Sequence, residues 1–436
     1  MTNYHEIVEK QRAYFKTGET KKLEVRKELL NAVKRCGLEN AHELCEAVHR
    51  DLRRLPAVTE AMEIGGMQEI DYILERLDEW AAPTKVECEA PLTDKDEPML
   101  VKDPKGVVLV IGTWNYPVAM MFMPLAAALS AGNTVILKPS EVAPNVAEVF
   151  GRIIPKYFDE KVVAIVQGGV SETTSLLEER FDHIFFTGDP RIGKVIMTAA
   201  AKHLTSVTLE LGGKCPVVIA DDADLEKAAK DVATKKWMNC GQTCIAPDYA
   251  LVSSETKPKF VEELKKAIAE NFSEDVKSSP AYSRMINQRH FDRVKSVMDK
   301  SKASVLIKAG ELDREDVFIP PMVLDADAED SFMEAEIFGP VLPIVTSENM
   351  DSTIEFINEG EKPLAAYIWT TDKKNVERLY KETSSGAVTA NGVMSHIMTM
   401  ALPFGGVGNS GMGRYRGKFG FDEFTHEKAV LLRDLC

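Results

Sequence analysis

Apolar residues recur at helical spacing through the first eighty positions, in Leu23, Leu29, Leu30 and Val33 and again in Ile70, Ile73, Leu74 and Leu77. The pattern predicts a helical N-terminal region. It breaks at Trp80-Ala-Ala-Pro83, and residues 83–104 hold four prolines among mixed charges, which reads as an extended segment, a hairpin or a linker. From Val107 the pattern changes. Short apolar runs VVLVI (107–111), TVILK (134–138), VVAIV (162–166), HIFFT (183–187) and VTLEL (207–211) start 21 to 28 residues apart. That spacing fits a strand, a crossover helix and the next parallel strand. Runs without alternation fit strands buried on both faces. Residues 107–211 therefore read as a nucleotide-binding α/β sheet.

A second series follows. PVVIA (216–220) leads into DDADLEKAAKDVA, a helix opened by an acidic first turn. LVSS (251–254), VLIK (305–308), LPIV (342–345) and AAYIW (365–369) are further strands, and AVLLRDLC can form a last one. The fold class is α/β: a parallel-sheet nucleotide-binding domain, a second α/β domain and a small β element. Gly406-Val-Gly408-Asn-Ser-Gly411 matches the dinucleotide fingerprint GxGxxG. That fingerprint needs a strand before it, a helix after it and room for a βαβ unit, and only about 25 residues follow Gly411. It reads as a structural turn.

Length and composition narrow the class. A chain of 436 residues exceeds one core, so two or more domains are expected. A net charge of -15 argues against a nucleic-acid surface. The N-terminus has no long apolar core and reads as neither secretory signal nor transit peptide. No apolar run reaches bilayer length. The seven cysteines, at 36, 45, 88, 215, 240, 244 and 436, are odd in number and irregularly spaced. They read as reduced thiols in the cytoplasm.

Four local features can carry chemistry. Phe186-Thr-Gly188-Asp-Pro-Arg-Ile-Gly193-Lys194 follows a strand and precedes a helix-like run, so its N–H groups can face a phosphate. Cys244, in Asn-Cys-Gly-Gln-Thr-Cys, is either a small buried hydrophobe or an accessible nucleophile. Cys240 lies four residues before it, but no second CxxC or HxxxH completes a zinc site. Glu210, in Thr-Leu-Glu-Leu-Gly-Gly-Lys, sits at an apolar strand end, where a carboxylate is costly to bury; it is paired or functional. Asn115, in Gly-Thr-Trp-Asn-Tyr-Pro, follows the first strand, where an Asn serves a turn or donates to an oxyanion.

Taken together and in this order, these motifs resemble the aldehyde dehydrogenase superfamily. Trp114-Asn115-Tyr116-Pro117, Lys138-Pro-Ser-Glu141, Phe186-Thr-Gly188 with Gly193, Glu210-Leu-Gly-Gly-Lys214, Gly241-Gln-Thr-Cys244, Glu336-Ile-Phe338-Gly-Pro340 and Pro403-Phe-Gly-Gly406 all match, across the whole chain. Ile-Ala-Pro-Asp-Tyr after the cysteine, the short N-terminus and the glycine-rich stretch from Leu402 resemble the class 3 branch. That branch acts on medium- and long-chain fatty aldehydes and on aromatic aldehydes. The resemblance implies Cys244 as nucleophile, Asn115 as oxyanion donor and Glu210 as the base that activates the hydrolytic water. It implies Lys138 and Glu141 near the adenosine ribose, Gly188 and Gly193 at the pyrophosphate, and Glu336 and Phe338 at the nicotinamide ribose and ring. Leu211 belongs to the same cofactor set. NAD is the expected cofactor, with NADP also used, and no metal.

The implied boundaries are 1–82 and 105–211 for the NAD(P)-binding domain, 212–410 for the catalytic domain, and 83–104 and 411–436 for an oligomerisation element that bridges a homodimer. The apolar C-terminal anchor of fatty-aldehyde members is not found in these residues. Three alternatives remain: a CoA-acylating enzyme, which Glu210 disfavours, a non-catalytic relative of the lens-protein kind, and a cysteine hydrolase.

Overall fold

The computed structural model describes residues 4–433 except 88, 90, 91, 93 and 94. Cys88, Cys436 and parts of the 83–104 and 411–436 segments lie outside the described residues. The expected α/β architecture is the one observed, in three sheets. The first has the order Gly411–Met412, Ser206–Glu210, His183–Thr187, Val107–Ile111, Thr134–Lys138, Val163–Ile165. All neighbours are parallel except the Gly411–Met412 edge. The second has seven strands: Ser304–Lys308, Met322–Asp325, Val341–Thr346, Tyr249–Val252, Pro216–Ile219, Ala365–Trp369 and Ala387–Ala390. Only its Ser304–Lys308 edge runs antiparallel. The third joins Thr84–Lys85, Glu97–Pro104 and Thr425–Leu432 in antiparallel register.

Alternation along the buried strands explains the layers. In Val107–Ile111, Val108 and Val110 enter one core with Leu30, Leu44, Ile70 and Phe122 from the helical N-terminal region and helix Ala119–Ala131. Val107, Leu109 and Ile111 enter another, with Val8 of helix Tyr4–Lys16 and Ile196 of helix Pro190–Ala201. Each such side chain contributes roughly 1.5–3 kcal/mol on burial, so a strand apolar on both faces holds two helix layers. The second sheet is covered likewise: Val217 and Ile219 face helices Leu225–Trp237 and Lys257–Phe272, while Val218 faces the other way.

The strands read from the sequence lie within a residue or two of those observed, except the last, expected over 429–436, which runs Thr425–Leu432. Three strands escape the reading: Met322–Asp325 and Ala387–Ala390, for want of a long apolar run, and Gly411–Met412, which reads as part of a glycine-rich turn. The acidic start before Leu225 caps its helix as expected: the Asp224 side chain accepts from the Lys227 N–H. The glycine-rich 406–411 segment is a structural turn. A Cβ on Gly406 would lie 2.2 Å from the Ser410 carbonyl oxygen, and one on Gly411 2.5 Å from that of Leu209. Only glycines let this turn close onto Ser206–Glu210. No helix among the described residues is long and apolar enough to cross a membrane.

One buried pair ties the helical region to the first sheet. Arg54 and Glu63 pair with almost no exposure. Arg54 also donates to the Asn115 carbonyl at 3.0 Å and to Thr59 Oγ1 at 3.1 Å. Glu63 Oε2 accepts from the N–H groups of Val118 and Ala119 at 2.7 and 2.9 Å. It supplies the anion that helix Ala119–Ala131 lacks at its own N-cap. Arg54→Met should cost about 3–5 kcal/mol, because it leaves a buried carboxylate unpaired, and Arg54→Met with Glu63→Leu should recover part of the loss. Urea unfolding measures both; a cost below about 1 kcal/mol for the single change would contradict this role.

Candidate active site

Parallel strands place their carboxyl ends at one edge of the sheet, and ligands gather there. Three turns of the first sheet open at that edge: the one after Ile111, carrying Thr113 to Pro117; Gly188 after Thr187; and Leu211 to Gly213 after Glu210. Facing them are two loops of the second unit, the one carrying Cys244 before Tyr249–Val252 and the one carrying Glu336 and Phe338 before Val341–Thr346. Between them lies a cavity of about 570 Å³. Of the residues singled out in the sequence, Cys244, Glu210, Asn115, Gly188, Leu211, Glu336 and Phe338 line it. Lys138, Glu141 and Gly193 do not.

The cysteine loop is locked from several sides. Gly241 has φ +72°, and a Cβ there would lie 2.0 Å from the Gly339 carbonyl oxygen, so the two loops interlock only with glycine. Gln242 donates to the carbonyls of Asn239 and Arg284, and its Oε1 accepts from the Ile286 N–H at 2.9 Å. Tyr116 and Thr243 share a hydroxyl hydrogen bond of 2.8 Å. Cys215 donates its thiol to the Cys244 carbonyl at 3.5 Å. Cys240 is fully buried, with its sulfur 3.6 Å from the Tyr282 hydroxyl.

Asn115 joins the two units. Its Nδ2 donates to the Gln242 carbonyl at 3.1 Å, which leaves a second amide hydrogen, and its Oδ1 accepts from Thr113 Oγ1 at 3.1 Å. Glu210 is 2% exposed, and neither carboxyl oxygen has a hydrogen-bond partner. Burial pushes its carboxyl well above the usual range, and Glu423 adds to the shift. Glu210 is thus not paired among the described residues.

Burial also pushes the Cys244 thiol up, with help from Glu336 and Glu210, while the backbone N–H groups of Cys244 and Ile245 oppose it. Glu336 is pushed up to about 8 by burial and Asp248, against Gly213, Arg293 and Lys214. Its carboxyl covers Gly212, where a Cβ would lie 2.0 Å from Oε2. Lys214 anchors the loop by pairing with Asp248 at 2.6 Å and donating to the Phe332 carbonyl at 2.7 Å. Asp248 in turn accepts from the Ile337 N–H at 3.0 Å.

At the other end of the edge, the buried Lys138 pairs with the half-exposed Glu141 at 2.7 Å. Burial is the largest influence on Glu141 and opposes its ionisation, yet the Lys138 hydrogen bond, its own backbone N–H and the Lys138 and Arg289 charges together hold the carboxyl below its usual range. Asp189 caps helix Pro190–Ala201 by accepting from the Arg191 N–H, and it holds the exposed Arg191 guanidinium. A Cβ on Gly193 would lie 2.9 Å from Leu211, so this glycine makes room for Leu211. Thr187 Oγ1, beside Gly188 in the cavity wall, is buried without a partner.

Sequence reasoning missed several wall residues. His290 packs 4.7 Å from Trp114, its ring nitrogens lack partners, and burial with Arg293 and Arg289 pushes it down to about 4, so it is neutral. Met62, Met120, Met394, Ile397 and Phe404 add apolar surface to the cavity wall. They come from four separate stretches of chain, and no local motif marks them.

Residues 1–430 match the aldehyde dehydrogenase family. The dimeric NADP-preferring aldehyde dehydrogenase of Canis lupus familiaris is 45% identical over 437 residues, covering 100% of this chain and 96% of the relative. Aldehyde dehydrogenase family 3 member A2 of Macaca fascicularis is 44% identical over 430 residues, 98% of this chain and 88% of the relative. The substrate-bound state of Staphylococcus aureus AldH superposes with a TM-score of 0.96 at 36% identity, over 100% of this chain and 95% of that one. The chain belongs to the aldehyde dehydrogenase family, oxidoreductases that oxidise aldehydes with NAD(P).

Proposed function

We propose that the chain oxidises medium- or long-chain fatty aldehydes, or aromatic aldehydes, to the acid through a thioester on Cys244. One observation carries this reading: an unpartnered, buried carboxyl, Glu210, stands in the wall of the same cavity as Cys244 and Asn115. Such a group costs stability and serves no structural contact. The methionines in the cavity wall support an apolar substrate tail.

The chemistry assigned to each residue follows from its surroundings. Cys244 sulfur bonds to the aldehyde carbon, and the thiol proton leaves to a base. The free amide hydrogen of Asn115 and the Cys244 N–H receive the oxygen as it takes up charge. NAD(P), when bound, supplies the two-electron acceptor that converts the thiohemiacetal to a thioester. Glu210 then takes a proton from water as the water oxygen bonds to the thioester carbon and the carbon–sulfur bond breaks. Its raised proton affinity suits a base that works near neutral pH.

The residues present suit the dinucleotide. The carboxylates of Glu141 and Glu336 can accept from ribose hydroxyls, and Phe338 offers a ring face. Thr187 Oγ1 offers an unused hydroxyl next to Gly188, Gly193 and Leu211. Residues 1–82 and 105–211 are assigned to NAD(P) binding, 212–410 to catalysis, and 83–104 with 411–436 to dimerisation. The exposed outer strand Thr425–Leu432, with Leu431 and Leu432 at the surface, supports a homodimer, as does the name of the canine relative. The five free cysteines among the described residues support a cytoplasmic setting.

Cys244→Ala should abolish aldehyde-dependent NADH formation while leaving the fold intact, and Cys240→Ala should retain most of it. A Cys244→Ala enzyme with wild-type turnover would refute the covalent route. Cofactor choice gives a second test. Glu141 repels a 2′-phosphate and neutralises Lys138, so NAD should be preferred with measurable use of NADP. In Glu141→Gln the freed Lys138 charge should shift the ratio of kcat/KM values toward NADP. A ratio unmoved, or moved toward NAD, would place Glu141 away from the ribose.

A further inference from the structure

A second cavity, of about 530 Å³, opens at the end of the first sheet away from Cys244, beside the start of strand Ser206–Glu210. Lys105, Ser206, Asp103 and Asp182 stand in its wall. Both carboxylates are held elsewhere. Asp103 pairs with Lys21 at 2.7 Å and with Lys428 at 2.8 Å. Asp182 pairs with Arg12 at 2.9 Å and accepts from the Val107 N–H at 2.8 Å. Among the described residues no ion pair reaches Lys105. Its Nζ instead meets His183 Nδ1 at 3.2 Å.

The hydrogen bonds around His183 fix what Nδ1 can offer. Thr208 Oγ1 donates to Glu423 Oε1 at 2.6 Å, so in its other contact, with His183 Nε2 at 3.0 Å, it accepts. Nε2 therefore carries the hydrogen. Burial and Lys105 hold His183 well below its usual range, so the ring is neutral and Nδ1 presents only a lone pair. That lone pair accepts from Ser206 Oγ at 2.8 Å and from Lys105 Nζ. An amine that donates one N–H there keeps its own lone pair free for the cavity. Burial also lowers the affinity of Lys105 for a proton, by more than the charge of Glu423 raises it. A desolvated lysine amine with no carboxylate partner is suited to attack a carbonyl carbon.

An aldehyde dehydrogenase works in the presence of aldehydes, so an aldehyde is the electrophile that this amine meets. We propose that Lys105 is a covalent aldehyde-binding site, where an aliphatic aldehyde entering the second cavity is held as a reversible imine on Nζ. Pro104 and the exposed Leu204 in the same wall offer apolar contact to the alkyl chain. The site uses none of the residues assigned to catalysis. Its steps balance. Nζ bonds to the aldehyde carbon as the carbonyl electron pair moves to oxygen. A proton passes from nitrogen to that oxygen and gives the carbinolamine. The carbon–oxygen bond then breaks, the remaining nitrogen proton leaves with the hydroxyl as water, and a carbon–nitrogen double bond is left. Nothing is oxidised or reduced, and water reverses every step.

The test needs no turnover. The full chain, without NAD, is incubated at neutral pH with hexanal and sodium cyanoborohydride, which reduces an imine to a stable secondary amine. Peptide mass spectrometry then follows each lysine with time. Lys105 should be labelled several-fold faster than Lys259 and Lys373, which are exposed and likewise outside any ion pair among the described residues. Lys105→Arg should lose this label and keep the slower ones. With the reductant left out, dialysis should return the unmodified mass. Labelling of Lys105 no faster than that of Lys259 and Lys373 would overturn the site, and an unreduced adduct that survives dialysis would overturn the imine.

Discussion

The site depends on a turn that cannot move. Asn115 receives Arg54 and Asn239 on its carbonyl and gives its amide to Gln242, so one residue links the helical N-terminal region, the first sheet and the cysteine loop. Behind it the Arg54–Glu63 pair is buried and completes its hydrogen bonds on Thr59 and on the start of helix Ala119–Ala131. A buried pair of this kind adds little net stability, but losing one partner is expensive. Its benefit is geometric. A donor that must meet a charge only as that charge develops has to be in place beforehand, and reorganising it would cost the rate.

The same low-dielectric setting explains the protonation states. Cys244, Glu210 and Glu336 are all pushed toward their neutral forms by burial, and Glu336 and Glu210 push Cys244 further the same way. Each step then consists of moving a proton off a group that has been made reluctant to lose it. The cofactor end contrasts with this, since the buried Lys138 is paired with Glu141, which reaches solvent.

The first sheet was legible because its strands are apolar on both faces, which leaves few alternatives for runs such as VVLVI and TVILK. Met322–Asp325 follows two prolines, and Ala387–Ala390 is an edge strand of small residues, so neither gives a periodic signal. Cys244, Glu210 and Asn115 were legible through their motifs, but their surroundings were not. Arg54 and Asn115 meet across 61 residues, and Thr208 and Glu423 across 215. A buried histidine in HIFFT reads as one more strand residue until its neighbours are known. That Glu210 has no partner is a fact of packing, and packing is absent from a linear pattern.

The central claim is that Cys244 carries the acyl group and Glu210 releases it. Glu210→Gln removes the base with little change in volume. Mixed rapidly with aldehyde and NAD, that variant should form about one equivalent of NADH per active site and then stall, because the amide takes no proton from water. Intact-mass spectrometry of the stalled protein should show the acyl group on Cys244. Continued turnover at the wild-type rate, or a stalled protein with no adduct on Cys244, would contradict the account.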